Sequence, residues 1–221
     1  IDVYDGVARQ LAKRSGLRVV SVDYGLAPEH PFPVPLDDCI AAIRWVAAHG
    51  ADWGIDPERV AVAGDSAGAN LALAATIALR DAGNSPVRGA ALIYGCYAPD
   101  LDTVSGKAYG GGPYLISSPE MAWYWNHYLS KPADRKNPLA APLYADLRGL
   151  PPLFVTASEF DPLRNDSEML AERLKAAGAV HEFRLWLGTI HASVNLMGWI
   201  AAMAPRVDEV CAFLRQVTGK A

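Results

Sequence analysis

The pentapeptide Gly64-Asp65-Ser66-Ala67-Gly68 holds a serine between two glycines. That pattern belongs to a sharp strand-to-helix turn, in which the glycines let the backbone fold back and hold the hydroxyl out at the end of a sheet. Its flanks agree with the turn. Val60 to Ala63 is an apolar, strand-like run, and the segment from Ala67 through Leu71-Ala72-Leu73-Ala74 is helix-forming. Ala63, Gly64, Ala67 and Gly68 are all small, as they must be where helix and strand approach closely. A surface Gly-Ser turn is the bland alternative, and it needs neither flank.

A serine alcohol is a poor nucleophile at neutral pH, so it requires a base within hydrogen-bond reach and a third group to orient that base. In open α/β sheets such groups gather in loops just past the carboxyl ends of strands. Among the five histidines, His30 lies in a proline-rich loop and His49 at a helix end, both before the serine. His127 is inside an aromatic helix and His181 begins a strand. His191 alone follows a strand end, in Leu187-Gly188-Thr189-Ile190-His191. For the orienting acid, Asp161 comes after the apolar strand Leu153 to Ala157, with Glu159 as its rival; the shorter carboxylate, followed by Pro162, suits a fixed orientation better. Asp166 reads as a helix N-cap, Asp146 as a solvated loop acid, and Asp65 as a hydrogen-bonding support that points away from the nucleophile. The resulting chain order, Ser66, Asp161, His191, is that of the α/β-hydrolases.

The elements that must hold these residues are legible in apolar periodicity. Asp2 to Ser15 places Val3, Val7, Ala8, Leu11 and Ala12 on one helical face, and Gly16 stops it. Leu17 to Val22 reads as a short strand. The proline-rich Ala27 to Pro35 reads as a stiff loop, and a helix follows from Asp37 to His49. Further strands are expected at Val60 to Ala63, Val87 to Tyr94, Leu153 to Ala157 and His181 to Leu187. Helices are expected from the elbow to Asp81, at Asp166 to Ala177, and from about Pro205 to Val217. This alternation predicts a mostly parallel sheet with helices on both faces in a single domain spanning 1–221. The rhythm breaks over 95–149, which reads as a lid or pocket-wall excursion with Gly110-Gly111-Gly112 as a flexible loop and an aromatic helix from Ser118 to Leu129.

Bulk properties narrow the function. The chain has 221 residues, 51% of them hydrophobic and 20% charged, with a net charge of −4. That describes a globular chain with no blocks of like charge, which argues against a nucleic-acid partner or an acidic membrane surface. No apolar run approaches the roughly 20 residues of a membrane span. Cys39, Cys96 and Cys211 are scattered and odd in number, so they read as small core residues in a reducing, cytoplasmic compartment rather than as metal or redox ligands. The start, Ile1-Asp2-Val3-Tyr4, shows neither an initiator Met nor a signal pattern, and reads as the interior of a longer gene product.

The elbow, Asp23-Tyr24 with Leu26-Ala27-Pro28-Glu29-His30-Pro31-Phe32-Pro33, Asp161-Pro162-Leu163 and Ile190-His191 together resemble the hormone-sensitive-lipase-like (family IV type) carboxylesterases of the α/β-hydrolase superfamily. The similarity covers nearly the whole chain. It implies cleavage of carboxylic esters with short to medium acyl chains through an acyl-enzyme, with Ser66 as nucleophile, His191 as base and acid, Asp161 as orienter, and neither metal nor cofactor. A small-molecule ester is then the partner, and a homodimer is possible.

Two departures stand out. Gly25 replaces an arginine of the family's Tyr-Arg-Leu-Ala-Pro-Glu. The family's His-Gly-Gly-Gly oxyanion loop, expected just upstream of Ile1, is absent, which leaves the backbone N–H of Ala67 as the donor in hand; each missing donor costs on the order of 100- to 1000-fold in turnover. The fold then reads as N-terminally truncated. Three arrangements follow: a longer natural protein, which is the favoured one, a strand donated by another copy, or re-pairing of the remaining strands. For the pocket, Leu163 and Ile190 are candidates for the acyl side, and Trp123, Trp125 and Tyr128 for the alcohol side. The competing functions are a hydrolase-fold protein that binds small molecules without cleaving them, and cleavage of amides.

Overall fold

The computed structural model describes residues 2–220; Ile1, Ala221 and the side chains of Asp2 and Val3 lie outside the described residues, and the inward placement of Val3 lies there with them. The helix α1 (Asp2–Ser15) opens the chain, and α2 (Val34–His49) follows the proline loop. The helix α2 starts three residues before the expected Asp37. Pro35 lies in its first turn, where the missing N–H has no intrahelical partner to lose, so a proline ends the loop and begins the helix.

The sheet is built from β1 (Val60–Asp65), β2 (Val87–Ile93), β3 (Leu153–Phe160) and β4 (His181–Ile190). Its order is β1-β2-β3-β4 and every pair is parallel, with Gly64 opposite Leu92, Leu92 opposite Val155, and Phe160 opposite Ile190. Between these strands run α3 (Ala67–Asp81), the short α4 (Val104–Tyr109), α5 (Ser118–Tyr128) and α6 (Arg164–Ala176), and α7 (Ala204–Thr218) closes the chain.

Alternation along the strands sorts the core into two layers. Ala90, Leu92, Leu153 and Val155 face Leu73 and Ile77 of α3 and Leu170 and Leu174 of α6. Their neighbours Ala91, Ile93 and Phe154 face the other way, onto Val207, Val210 and Leu214 of α7, with Val7 and Leu11 of α1 packed behind. The helix α2 stacks outside α3 through Leu36 and Ile43 against Leu71 and Leu79. The 95–149 excursion is tied into these layers rather than lying loose over them: Leu143 and Leu147 join the α3–α6 core, and Trp125 and Met121 of α5 pack on Leu163. Its glycine stretch is held at its start, by a bridge from Gly111 to Ser117 and by the Ser118 N–H donating to the Gly110 carbonyl at 2.9 Å.

One expected strand does not form. Leu17 to Val22 makes no ladder with any strand among the described residues, and Val19 and Val20 are 40% and 45% exposed. The run has the β-branched composition of a strand, but a strand exists through its neighbour's hydrogen bonds, and β1, at the edge of the described sheet, pairs only with β2. Re-pairing of the remaining strands, one of the three arrangements considered, is not seen among the described residues. No helix among the described residues is long and apolar enough to cross a membrane.

Candidate active site

Because all four strands are parallel, their carboxyl ends lie at one rim, and the residue after each end arrives there: Ser66 after β1, Tyr94 after β2, Asp161 after β3 and His191 after β4. The turn at Ser66 has φ 54° and ψ −120°, and its N–H donates to the Ile93 carbonyl at 2.9 Å. Gly64 makes that turn fit, since a Cβ there would stand 2.2 Å from the Gly68 carbonyl oxygen. Gly68 itself does not need to be small, because a Cβ at that position meets no atom within 4 Å. The close approach runs from the strand side alone.

The three sequence candidates meet. His191 Nε2 lies 2.8 Å from Ser66 Oγ, and its Nδ1 lies 2.8 Å from Asp161 Oδ2. Asp161 Oδ1 accepts from the Leu163 N–H at 2.8 Å, which fixes the carboxylate from behind. A carboxylate only accepts, so Nδ1 carries the proton and Nε2 is left to accept from the serine hydroxyl. Asp161 is fully buried and His191 only 4% exposed, so this relay is shielded from water. The amides of Ala67 and Gly68 open α3, where no earlier carbonyl is in register to take them, and the helix end adds positive potential for a developing anion.

The rivals have other employment. Glu159 accepts from the Gly188 N–H at 2.7 Å and braces the irregular end of β4. His49 stacks on Trp45, His127 packs on Trp123, and His181 Nδ1 contacts the Ala179 carbonyl. Asp146 is exposed and paired with Arg148. Asp166 is not the N-cap expected of it: it lies inside the first turn of α6 and accepts from the Tyr97 and Ala98 amides at 2.6 and 3.1 Å, pinning the loop after β2. Burial pushes its carboxyl up to about 7, against the pull of those two amides, with Asp161 and Asp100 adding repulsion.

Asp65 does turn away from the nucleophile. It accepts from the Tyr94 hydroxyl at 3.3 Å, and burial raises its carboxyl above the usual range. Tyr94 was not a sequence candidate; the strand-end rule that found His191 points to it equally, but a tyrosine has no place in a serine relay. Ser66, Tyr94 and Ala192 all take positive φ, at 54°, 36° and 56°. Such conformations cost about 1–3 kcal/mol each for residues other than glycine, and here they flank the reacting groups.

The pocket candidates divide. Leu163 and Trp125 are 1% and 3% exposed and pack on one another's cluster, so they back the site and do not themselves face solvent. Ile190 is half-buried beside His191, Tyr128 packs edge-on against Phe32 and Trp125, and Trp123 is 57% exposed on the outer face of α5.

Residues 1–195 match the alpha/beta hydrolase fold family. The chain is 38% identical over 219 residues to a carboxylesterase, NlhH, of Mycobacterium tuberculosis, covering 98% of this chain and 69% of that protein. It is similar to the structure of a hyperthermophilic esterase from the archaeon Pyrobaculum calidifontis, with a TM-score of 0.93 and 41% identity over 96% of this chain and 70% of that one. A thermostable carboxylesterase cloned from a metagenomic library, EstE1, gives a TM-score of 0.94 and 37% identity, covering 97% and 74%.

Proposed function

We infer the reaction from the premise that this chain belongs to the alpha/beta hydrolase fold family. The protein is an ester hydrolase, as are its named relatives over nearly its whole length. A non-catalytic, ligand-binding role on the same fold is not favoured by that company.

In the mechanism we propose, Ser66 Oγ attacks the ester carbonyl carbon while its proton passes to His191 Nε2. Asp161 keeps the imidazole in the tautomer that can receive the proton and offsets the charge that then forms. The carbonyl oxygen becomes an oxyanion at the opening of α3, against the Ala67 N–H. Collapse expels the alcohol, which takes the proton from Nε2 and leaves an acyl group on Ser66. Water, deprotonated by the same histidine, releases the acid and restores the serine. The observation that carries this reading is the unbroken relay of two 2.8 Å contacts from a buried carboxylate to the elbow hydroxyl. Acyl groups of short to medium length are the proposed substrates: Leu163, beside the orienting acid, is packed against Trp125 and Met121, which closes the space behind it.

A fluorophosphonate probe followed by peptide mapping tests the assignment. Labelling is expected at Ser66 and lost in His191→Ala. Turnover of p-nitrophenyl esters is expected to fall as the acyl chain lengthens from C4 to C16. Labelling at another residue would sink the mechanism, and a preference for C16 would sink the chain-length reading.

A further inference from the structure

Three of the four strand ends supply the relay, and the fourth supplies a tyrosine for which the mechanism has no role. Tyr94 is 1% exposed and holds φ 36°, an unfavourable backbone for so large a residue. Its ring centre lies 5.0 Å from that of His191 at a tilt of 59°, and 6.4 Å from that of Trp186. Its hydroxyl donates to Asp65 Oδ2 and accepts from the Val194 N–H, each at 3.3 Å. Val194 belongs to the 3-10 turn Ser193–Leu196, which follows His191 and the left-handed Ala192.

We propose that Tyr94 is a positioning residue for the His191 base: its ring backs the imidazole, and its hydroxyl joins the Asp65 carboxylate, next to the nucleophile, to the backbone turn that carries the histidine. The inference rests on the assignment of His191 as the base. It explains why a half-buried carboxylate stands beside the serine without touching it. The Asp65–Tyr94–Val194 connection fixes the distance between the elbow and the histidine turn, two segments from opposite edges of the described sheet. Position is what a base relay most needs, because a displacement of about 1 Å costs on the order of 100-fold in rate.

The test compares Tyr94→Phe, Asp65→Asn and the double variant in the full chain, with Ser66→Ala and His191→Ala as references. Tyr94→Phe keeps the ring against Trp186, so the fold survives loss of the hydroxyl; kcat is expected to drop about 10-fold with KM within about twofold, the pattern of an interaction made in the transition state. Asp65→Asn is expected to show a similar drop, again in kcat with KM within about twofold, a split that a merely structural support would not show. The double variant is expected to be no slower than the worse single one, since both remove one connection. A Tyr94→Phe enzyme within twofold of the parent, or losses that multiply in the double variant, would overturn the proposal while leaving the catalytic assignment intact. Retained turnover in Ser66→Ala or His191→Ala would overturn that assignment itself.

Discussion

Gly64→Ala is the substitution that most directly tests how this site is held. The added methyl would sit 2.2 Å from the Gly68 carbonyl oxygen and 2.3 Å from its carbon, both backbone atoms that cannot rotate aside. Cβ atoms do not approach backbone closer than about 3.0 Å, so strand and helix must separate by at least 0.8 Å. Ser66 lies between them and moves with the gap. Overpacking of this kind costs about 1–3 kcal/mol, which at about 2–4 °C per kcal/mol for a chain of this size lowers Tm by roughly 2–12 °C. A displacement near 1 Å at the nucleophile costs on the order of 100-fold in kcat. Gly68→Ala is the matched control, since its methyl meets nothing within 4 Å and alanine suits a helix better than glycine. Thermal melts and p-nitrophenyl ester kinetics on the two variants decide the matter. If Gly64→Ala melts within 2 °C of the parent and keeps kcat within threefold, or if Gly68→Ala is the more damaging of the two, the close-approach argument is wrong.

Further expectations follow from the same contacts. Asp161→Asn keeps the shape of the acid but presents an amide to His191 Nδ1, favouring the wrong tautomer, and kcat should fall by about 10⁴ with KM little changed; steady-state kinetics check it, and a loss under tenfold would contradict the relay. The folded chain holds the Asp166 proton up to about 7, whereas its ordinary value is 3.8, so the folded state binds the extra proton between those values and this carboxyl costs stability as pH rises through them. Asp166→Asn, which keeps an oxygen for the Tyr97 and Ala98 amides, should therefore gain in Tm relative to the parent as pH goes from 4 to 8; a gain that is flat or shrinks with pH contradicts the assignment. Burial pushes the Cys39 thiol up to about 11 and raises those of Cys96 and Cys211 as well. Iodoacetamide at pH 8 should label the native protein slowly at all three and the denatured protein promptly, as mass spectrometry would register.

Much of the site was legible because its residues obey rules that act locally. The Gly-x-Ser-x-Gly turn announces itself in five residues, and the position of His191 and Asp161 just past apolar strands is enough to select them from their rivals. What escaped notice depends on contacts across the chain. Asp166 looks like a cap because it stands near a helix start, yet its partners are amides some seventy positions earlier in the sequence. Leu17 to Val22 has a strand's composition but, among the described residues, no neighbour to make it one. Pro35 looks like a breaker until its place in the first turn is known. Gly68 looks as constrained as Gly64, and only the direction of its absent Cβ tells them apart. Leu163 reads as a pocket wall from its place beside Asp161, and Trp125 from its place in the aromatic helix; their burial, at 1% and 3% exposed, comes from contacts the sequence does not show.

The parallel sheet accounts for both the order and the strain of the site. Each strand delivers one residue to the same rim, so groups as far apart as Ser66 and His191 become neighbours through backbone ladders that would form with any side chains at those ends. Ladders alone leave the rim too loose for a proton relay, since the chain must reverse direction there. Left-handed conformations at Ser66, Tyr94 and Ala192 make those reversals tight, and each one is unfavourable on its own. They persist because the strands behind them are fully packed, with Ala91, Leu92, Leu153 and Val155 all at 0% exposure. The core therefore supports the site in a specific sense: the free energy of burying Leu92 and Val155 holds the backbone in conformations that Ser66 and Tyr94 would otherwise leave. On this view a cavity cut behind the rim loosens the relay before it unfolds the chain.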